Sequence, residues 1–183
     1  MPITINGSGT VTGISVGGLP DGIVDADMIA TGAVTGVKQA AGSVIQVTSS
    51  GNITTPDYAN TSSTYNTTGC THSITPAFSS SKILVLITLD WGFVASDDNQ
   101  CYPKIALYRD STEITAGEYQ MRVDTGSSNC QWHGQGNFMY LDSPNTTSAT
   151  AYTVYAKAHN SAGSVNRANW NEKSNVTLME IRA

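Results

Sequence analysis

From residue 43 onward the chain is dominated by short runs in which apolar and polar residues alternate. In Ala151 to His159, Tyr152, Val154, Ala156 and Ala158 share one face while Thr153, Tyr155, Lys157 and His159 share the other, the period of a half-buried strand. Similar runs predict strands at about 43–48, 69–75, 82–94, 103–108, 112–122, 130–141, 150–159 and 175–182. Turn residues punctuate them at Asp97-Asp98-Asn99, Arg109-Asp110-Ser111, Asp142-Ser143-Pro144-Asn145 and Asn160-Ser161-Ala162-Gly163. One run departs from the alternation. Lys82-Ile83-Leu84-Val85-Leu86-Ile87-Thr88-Leu89 is apolar on both faces, which predicts a central strand covered on one side by a partner sheet and on the other by a neighbouring subunit. Parallel strands would need intervening helices, and no helical period separates these runs. The pattern therefore predicts an all-β fold, an antiparallel β-sandwich of jelly-roll-like type over residues 42–183.

The first 41 residues follow a different pattern. Nine of the 17 glycines fall within residues 1–42, and no aromatic residue precedes Tyr58. Aromatic side chains dominate core packing and glycine-rich chain is costly to order, so this stretch reads as an extended N-terminal arm rather than a domain. It is too apolar for a disordered linker, because Ile3, Ile5, Ile14, Val16, Leu19, Ile23, Met28 and Ile29 recur through it. Each gains about 1.5–3 kcal/mol if buried, and so few residues cannot wrap them all. The arm is expected to be an anchoring and assembly segment, shared among identical copies around a three-fold axis or docked on a larger complex. Leu19-Pro20-Asp21-Gly22 is a turn, and Asp25 can cap a helical turn or two through Ala30.

Composition and charge narrow the function classes. Thr, Ser and Asn number 23, 20 and 13, residues that favour strands, turns and caps and exclude a helical bundle. Nine scattered basic residues and a net charge of −5 offer no footprint for nucleic acid. No apolar run is long enough for a membrane span, and the start lacks the basic region and apolar core of a secretory signal, so no membrane insertion is expected.

Several blocks carry a family resemblance. DGIVDADMIATGAVTG resembles the short unit that many phage tail fibres repeat, with Met28 where that unit often has Lys. GSVIQVTSS, HSITPAFSSSKILVLITLD, IALYRDSTEI, FMYLDSPNTTSATAYTVYAK and SNVTLMEIRA follow in the order found in the C-terminal domain of small virion proteins of tailed phages that infect marine bacteria and cyanobacteria. The chain resembles that family most closely over residues 43–183. The resemblance implies a virion structural protein, of tail-fibre or adhesin-like type, with trimeric β architecture. This copy departs from the pattern at Cys70 to His72, Asp97 to Tyr102 and Gln131 to Gly136.

Candidate chemistry is sparse. Trp170, flanked by Asn169 and Asn171 beside Arg167 in a loop expected over 160–172, could stack on a sugar while the amides bond its hydroxyls; the alternative is a plug in the end of the sandwich. Trp132 is a second candidate ring, although its even spacing from Tyr140 points to one strand face and to core packing. Cys70-Thr71-His72 and Cys130-Gln131-Trp132-His133 could supply four metal ligands if their strands were neighbours, but the spacing is not that of a zinc knuckle, and no metal or other cofactor is expected. Buried thiols, or one disulfide with a third Cys free, are the default. No nucleophile elbow or carboxylate pair supports an enzyme. The leading expectation is a homotrimeric tail fibre joined by its arm to other virion proteins of the tail or baseplate, with a sandwich head for a host-surface glycan. The alternative is a capsid decoration or cement protein, or head fibre, that stabilises the shell.

Overall fold

The computed structural model describes residues 4–5, 11–12, 29–30, 33–53, 58–95, 104–115, 119–120, 130–157, 164–168 and 173–183. The chain divides into two units at Lys38/Gln39, slightly ahead of the boundary expected after residue 41. In the first unit, strand β1 (Thr4–Ile5) pairs antiparallel with β2 (Val11–Thr12), Ile5 opposite Val11, and a 3₁₀ turn spans Gly36–Lys38. Ile29 is exposed. Ile3, Ile14, Val16, Leu19, Ile23, Met28 and most of the expected turn from Asp25 lie outside the described residues.

The second unit contains β3 (Val44–Ser49), β4 (Tyr58–Asn60), β5 (Asn66–Ile74), β6 (Lys82–Ala95), β7 (Lys104–Arg109), β8 (Thr112–Glu113), β9 (Tyr119–Gln120), β10 (Cys130–Asp142), β11 (Thr150–Lys157), β12 (Ser164–Ala168) and β13 (Asn175–Ile181). Every pairing among them is antiparallel. Strand β6 is the spine of one sheet. Along one side it pairs with β10 from Ile83 opposite Asp142 to Ala95 opposite Cys130. Its other side is shared end to end by β13, opposite Lys82 to Thr88, and β12, opposite Trp91 to Ala95. Strand β3 flanks β13 and β4 flanks β12, while the other sheet runs β5-β11-β7-β8 with β9 beside β7.

The pairings are nested. β3 pairs with β13, β4 with β12, β5 with β11, β6 with β10 and β7 with β8, outermost to innermost, the β5–β11 and β7–β8 pairs lying in one sheet and the other three in the second. A long antiparallel ribbon rolled across itself gives this order, which is that of a jelly roll. The all-β antiparallel sandwich expected from the alternation is the fold observed. Three details differ. Of the strand expected over 112–122, the described residues form β8 and β9 with Ile114 and Thr115 in neither and the rest lying outside the described residues; β4 was not foreseen; and the loop expected over 160–172 contains β12, whose short SVNRA segment lacks a sustained apolar alternation.

Inward-facing residues of β6 and β13, among them Ile83, Val85, Ile87, Leu89, Val176 and Leu178, meet Cys70, Ile105, Leu107, Tyr152 and Val154 of the other sheet in one core. Polar ties close the seam between the sheets. Glu180 points inward from β13 and is fully buried. Its carboxylate accepts from the backbone N–H groups of Ala77 (2.9 Å) and Phe78 (3.2 Å) and from Gln46 Nε2, so it caps the β5–β6 turn. Burial alone would raise its pKa, but the donors around it, the backbone N–H groups of Ala77 and Phe78 and the Gln46 amide, hold it below the ordinary glutamate value. At the end of β10, Asp142 accepts two bonds from Arg109 Nη1 (3.0 and 2.9 Å) and one from the hydroxyl of buried Tyr152 (2.8 Å). Burial first, then the Asp142 bond and charge, push the Tyr152 phenol far above its usual value.

One end of the core is closed by Trp91 and Trp132, edge to face at 5.8 Å and 77°. The rings lie over glycines of β10. A Cβ at Gly134 would come within 2.6 Å of the Trp132 ring, and one at Gly136 within 2.8 Å of Trp91 Nε1. Small residues across from large rings are how a sheet makes room for indoles.

Candidate functional site

The residues offered by the sequence as a stacking site are not brought together. Trp132, offered as a second stacking ring, packs inward against Trp91 and the core cluster, the core packing its even spacing from Tyr140 pointed to, and it shares the inward parity of Phe138 and Tyr140 on β10. Arg167 is not in a loop but in β12, opposite Gly92 and Ala59. Trp170, Asn169 and Asn171 lie outside the described residues. The two cysteine and histidine segments fall on different sheets, β5 and β10. Cys70 is buried as a free thiol, its pKa pushed up to about 12 by burial, so it is inert at neutral pH. His72 Nε2 bonds Thr48 Oγ1 at 2.8 Å. His133 Nε2 bonds Asp90 Oδ1 at 2.6 Å, across the outer surface of β6 and β10. Asp90 is wholly buried there, and its backbone N–H donates to Ser174 Oγ at 3.0 Å, so this pair ties β10 to the β12–β13 crossing.

What sequence reasoning missed is a tyrosine platform on the outer surface of the β5-β11-β7-β8 sheet. Alternation on β11 turns Tyr152, Val154 and Ala156 inward and Thr153, Tyr155 and Lys157 outward. Register with β7 sets Tyr155 opposite Ala106, Thr153 opposite Tyr108 and Lys157 opposite Lys104. The Tyr108 and Tyr155 rings stack at 4.1 Å with a 31° tilt. Tyr65, just before β5, meets Tyr108 edge-on at 6.2 Å and 62°. Lys157 Nζ sits over the Tyr65 ring, 4.2 Å from its centre, an attraction worth about 0.5–1 kcal/mol at such a site. Ala106 faces outward yet is only 1% exposed, so the surrounding side chains cover it.

Hydroxyl groups border the rings. Thr71 Oγ1 and Thr153 Oγ1 share a hydrogen bond at 2.7 Å. The Tyr108 hydroxyl donates to Glu113 Oε2 at 3.4 Å, and its pKa is raised by partial burial, then by the charge and hydrogen bond of Glu113. The platform thus combines half-buried rings fixed by one another with hydroxyls on a rigid sheet. It can offer ring faces to C–H groups and hydroxyls to polar ones.

The outer surface of the other sheet is of opposite character. Leu84 and Leu86 on β6, Met139 and Leu141 on β10, and Met179 and Ile181 on β13 all face outward. Met139 is 68% exposed and Leu141 49%, and Val47 and Val44 on β3 are 56% and 49% exposed.

No family model and no curated protein matches the chain. Among solved structures, latent dimeric PorU from Porphyromonas gingivalis is similar over 78% of this chain and 14% of that one, at 8% identity and a TM-score of 0.30. A likeness that slight carries no argument about function.

Proposed function

We propose that this chain is a non-enzymatic structural and attachment subunit of a tailed-phage virion, of tail-fibre type, whose jelly roll presents the tyrosine platform to a glycan of the host surface. The virion context rests on the ordered sequence blocks from GSVIQVTSS to SNVTLMEIRA and on the tail-fibre-like unit in the first 41 residues, which would join the neighbouring virion proteins. The attachment role rests on one observation, the contact of Tyr65, Tyr108 and Tyr155 on an outward sheet face. A pyranose has an apolar C–H face and a rim of hydroxyls, and the platform offers the complement of both, ring faces and the Thr71/Thr153 hydroxyls. Shallow sites of this kind bind weakly one at a time, and several held together multiply affinity by factors of about 10²–10⁴.

The test is saturation-transfer NMR with soluble neutral hexose oligosaccharides and full-length protein, alongside adsorption of labelled protein to susceptible cells. Tyr155→Phe should keep binding, because the ring remains, whereas Tyr155→Ala should weaken it about ten-fold, which is about 1.4 kcal/mol. Undiminished binding by Tyr155→Ala, or none by wild type to any pyranose, would reject the platform as the site. Imaging of the intact particle tests the setting: density in many copies at capsid local three-fold positions would replace the tail reading by the capsid-decoration one.

A further inference from the structure

The tyrosine platform also carries a charge pattern, which deepens the attachment reading; the inference drawn from it rests on that reading. We infer that the sugar taken by the platform is acidic, an oligosaccharide whose carboxylate or sulfate ester substituent sits between Lys104 and Lys157 while its C–H faces lie on the tyrosine rings. Three observations lead there.

The first is the pairing of the two lysines. Register sets Lys157 of β11 directly opposite Lys104 of β7, both on the outward side that carries Tyr155 and Tyr108. Directly opposite residues hold their Cβ atoms about 4.5–5.5 Å apart, and like charges so placed destabilise a sheet. An anion set between the two ammonium groups reverses the sign of that contact and takes a charge-assisted hydrogen bond from each. Lys157 is already positioned, because its Nζ rests 4.2 Å from the centre of the Tyr65 ring. An ammonium group has three donors, so one held over a ring face still has N–H groups to offer. A side chain held in place beforehand also loses less freedom when a ligand arrives.

The second is the polarity of the face. Among the described outward residues of β5, β7, β8 and β11, the charged side chains are Lys104 and Lys157 at one end and Glu113 at the other, with the Tyr155 row between them. Glu113 stands opposite Tyr108 and accepts from its hydroxyl. An acidic sugar therefore has one favourable orientation, its anionic group at the lysines and away from Glu113. A neutral sugar gains nothing from this arrangement, and a cationic ligand meets two like charges at the lysine end. The chain's net charge of −5 does not undo the local field, since charges beyond about 8 Å are largely screened at physiological ionic strength.

The third is reach. Lys157 and Thr153 are four positions apart on β11, as are Lys104 and Tyr108 on β7, and four positions make about 13 Å of strand. That is longer than one pyranose ring. An occupant that meets both the lysine pair and the Thr71/Thr153 hydroxyls is therefore an oligosaccharide and not a single sugar.

Titration calorimetry and saturation-transfer NMR on the full-length protein test this with three oligosaccharides of equal length: a galacturonate oligomer, a sulfated galactose oligomer and a neutral galactose oligomer. At least one acidic oligomer should bind about ten-fold more tightly than the neutral one at low salt, and which of them does so tells carboxylate from sulfate. The advantage should shrink to about two-fold in about 0.5 M sodium chloride, a measurement on wild type that needs no substitution. Lys104→Gln should bring the ratio of acidic to neutral affinity close to one, and Lys104→Arg should retain it, with near-UV circular dichroism checking the fold of each. Equal binding of all three oligomers by wild type would overturn the inference and leave the attachment reading standing. So would a preference that survives Lys104→Gln combined with Lys157→Gln, since the anion would then be held elsewhere. Inorganic sulfate that displaces the acidic oligomer at the oligomer's own concentration would overturn it too, because the rings would contribute nothing. Binding of none of the three would remove both readings together.

Discussion

Removing the carboxylate of Asp142 tests how the two sheets are held together. In Asp142→Ala the hydroxyl of Tyr152, fully buried, loses the acceptor now 2.8 Å away. A hydrogen bond to a charged group contributes about 1.5–3 kcal/mol, and an abandoned buried donor keeps that whole cost. Arg109 also loses its two bonds, but its side chain is 27% exposed and water replaces part of them, adding only about 0.5–1 kcal/mol. The sum is about 2–4 kcal/mol. For a folding unit of this size each kcal/mol lowers the melting temperature by about 2–4 °C, so a drop of about 5–15 °C is expected. Urea unfolding followed by tryptophan emission measures the free energy directly, since Trp91 is buried in the core. A cycle with Tyr152→Phe separates the two contributions: the phenol and carboxylate should couple by about 1–3 kcal/mol. A loss below about 1 kcal/mol in Asp142→Ala, or strict additivity in the cycle, would refute the account of Asp142 as a buried tie.

Two further outcomes follow from the core. Because the folded pKa of Glu180 lies below its ordinary value near 4.5, its contribution is complete above that value and is lost as pH falls through the folded pKa. Wild-type stability should therefore decline more steeply on acidification than that of Glu180→Gln, and urea midpoints that run parallel from pH 7 to pH 3 would contradict this. Gly136→Ala sets a methyl 2.8 Å from Trp91 Nε1 and must displace an indole that is only 6% exposed, at a cost of about 1–3 kcal/mol with a shifted tryptophan emission. A variant as stable as wild type would show that the ring moves freely.

The sandwich was legible because each long strand repeats its inward residue every second position. β11 shows this over its whole length, and β6 adds the two-sided run that set it at the centre, with Ile83, Val85 and Ile87 inward and Leu84 and Leu86 outward. β12 was illegible for the converse reason: Ser164–Ala168 holds no alternation to read, and it is a strand because the long edge of β6 beyond β13 offers unpaired backbone groups at Trp91 to Ala95. Trp132 was legible in part. The sequence Trp132-Gly134-Gly136-Phe138-Tyr140 is one face by parity, and two glycines between large rings are a sign of indoles that need room.

The tyrosine platform could not have been found that way, and the reason is general to sheets. Tyr65, just ahead of β5, Tyr108 on β7 and Tyr155 on β11 stand far apart in sequence, and none is conspicuous in its own segment; only the register that sets Tyr155 opposite Ala106 and Thr153 opposite Tyr108, with Asn66 opposite Ala156, brings the rings together. Parity decides which side of a sheet a residue faces, and it is written locally. Neighbourhood across strands depends on register, which the turns and the core decide jointly, so a site on an outer face emerges only once the whole ribbon is rolled. The same holds for the aliphatic face: Met139, Leu86 and Met179 become one surface because β6 pairs Leu86 with Met139 on one side and Leu84 with Met179 on the other. An outward position on a lone sandwich has no packing demand on it, so nothing in the fold itself requires aliphatics at Leu86, Met139 and Met179 or rings and hydroxyls on the opposite side.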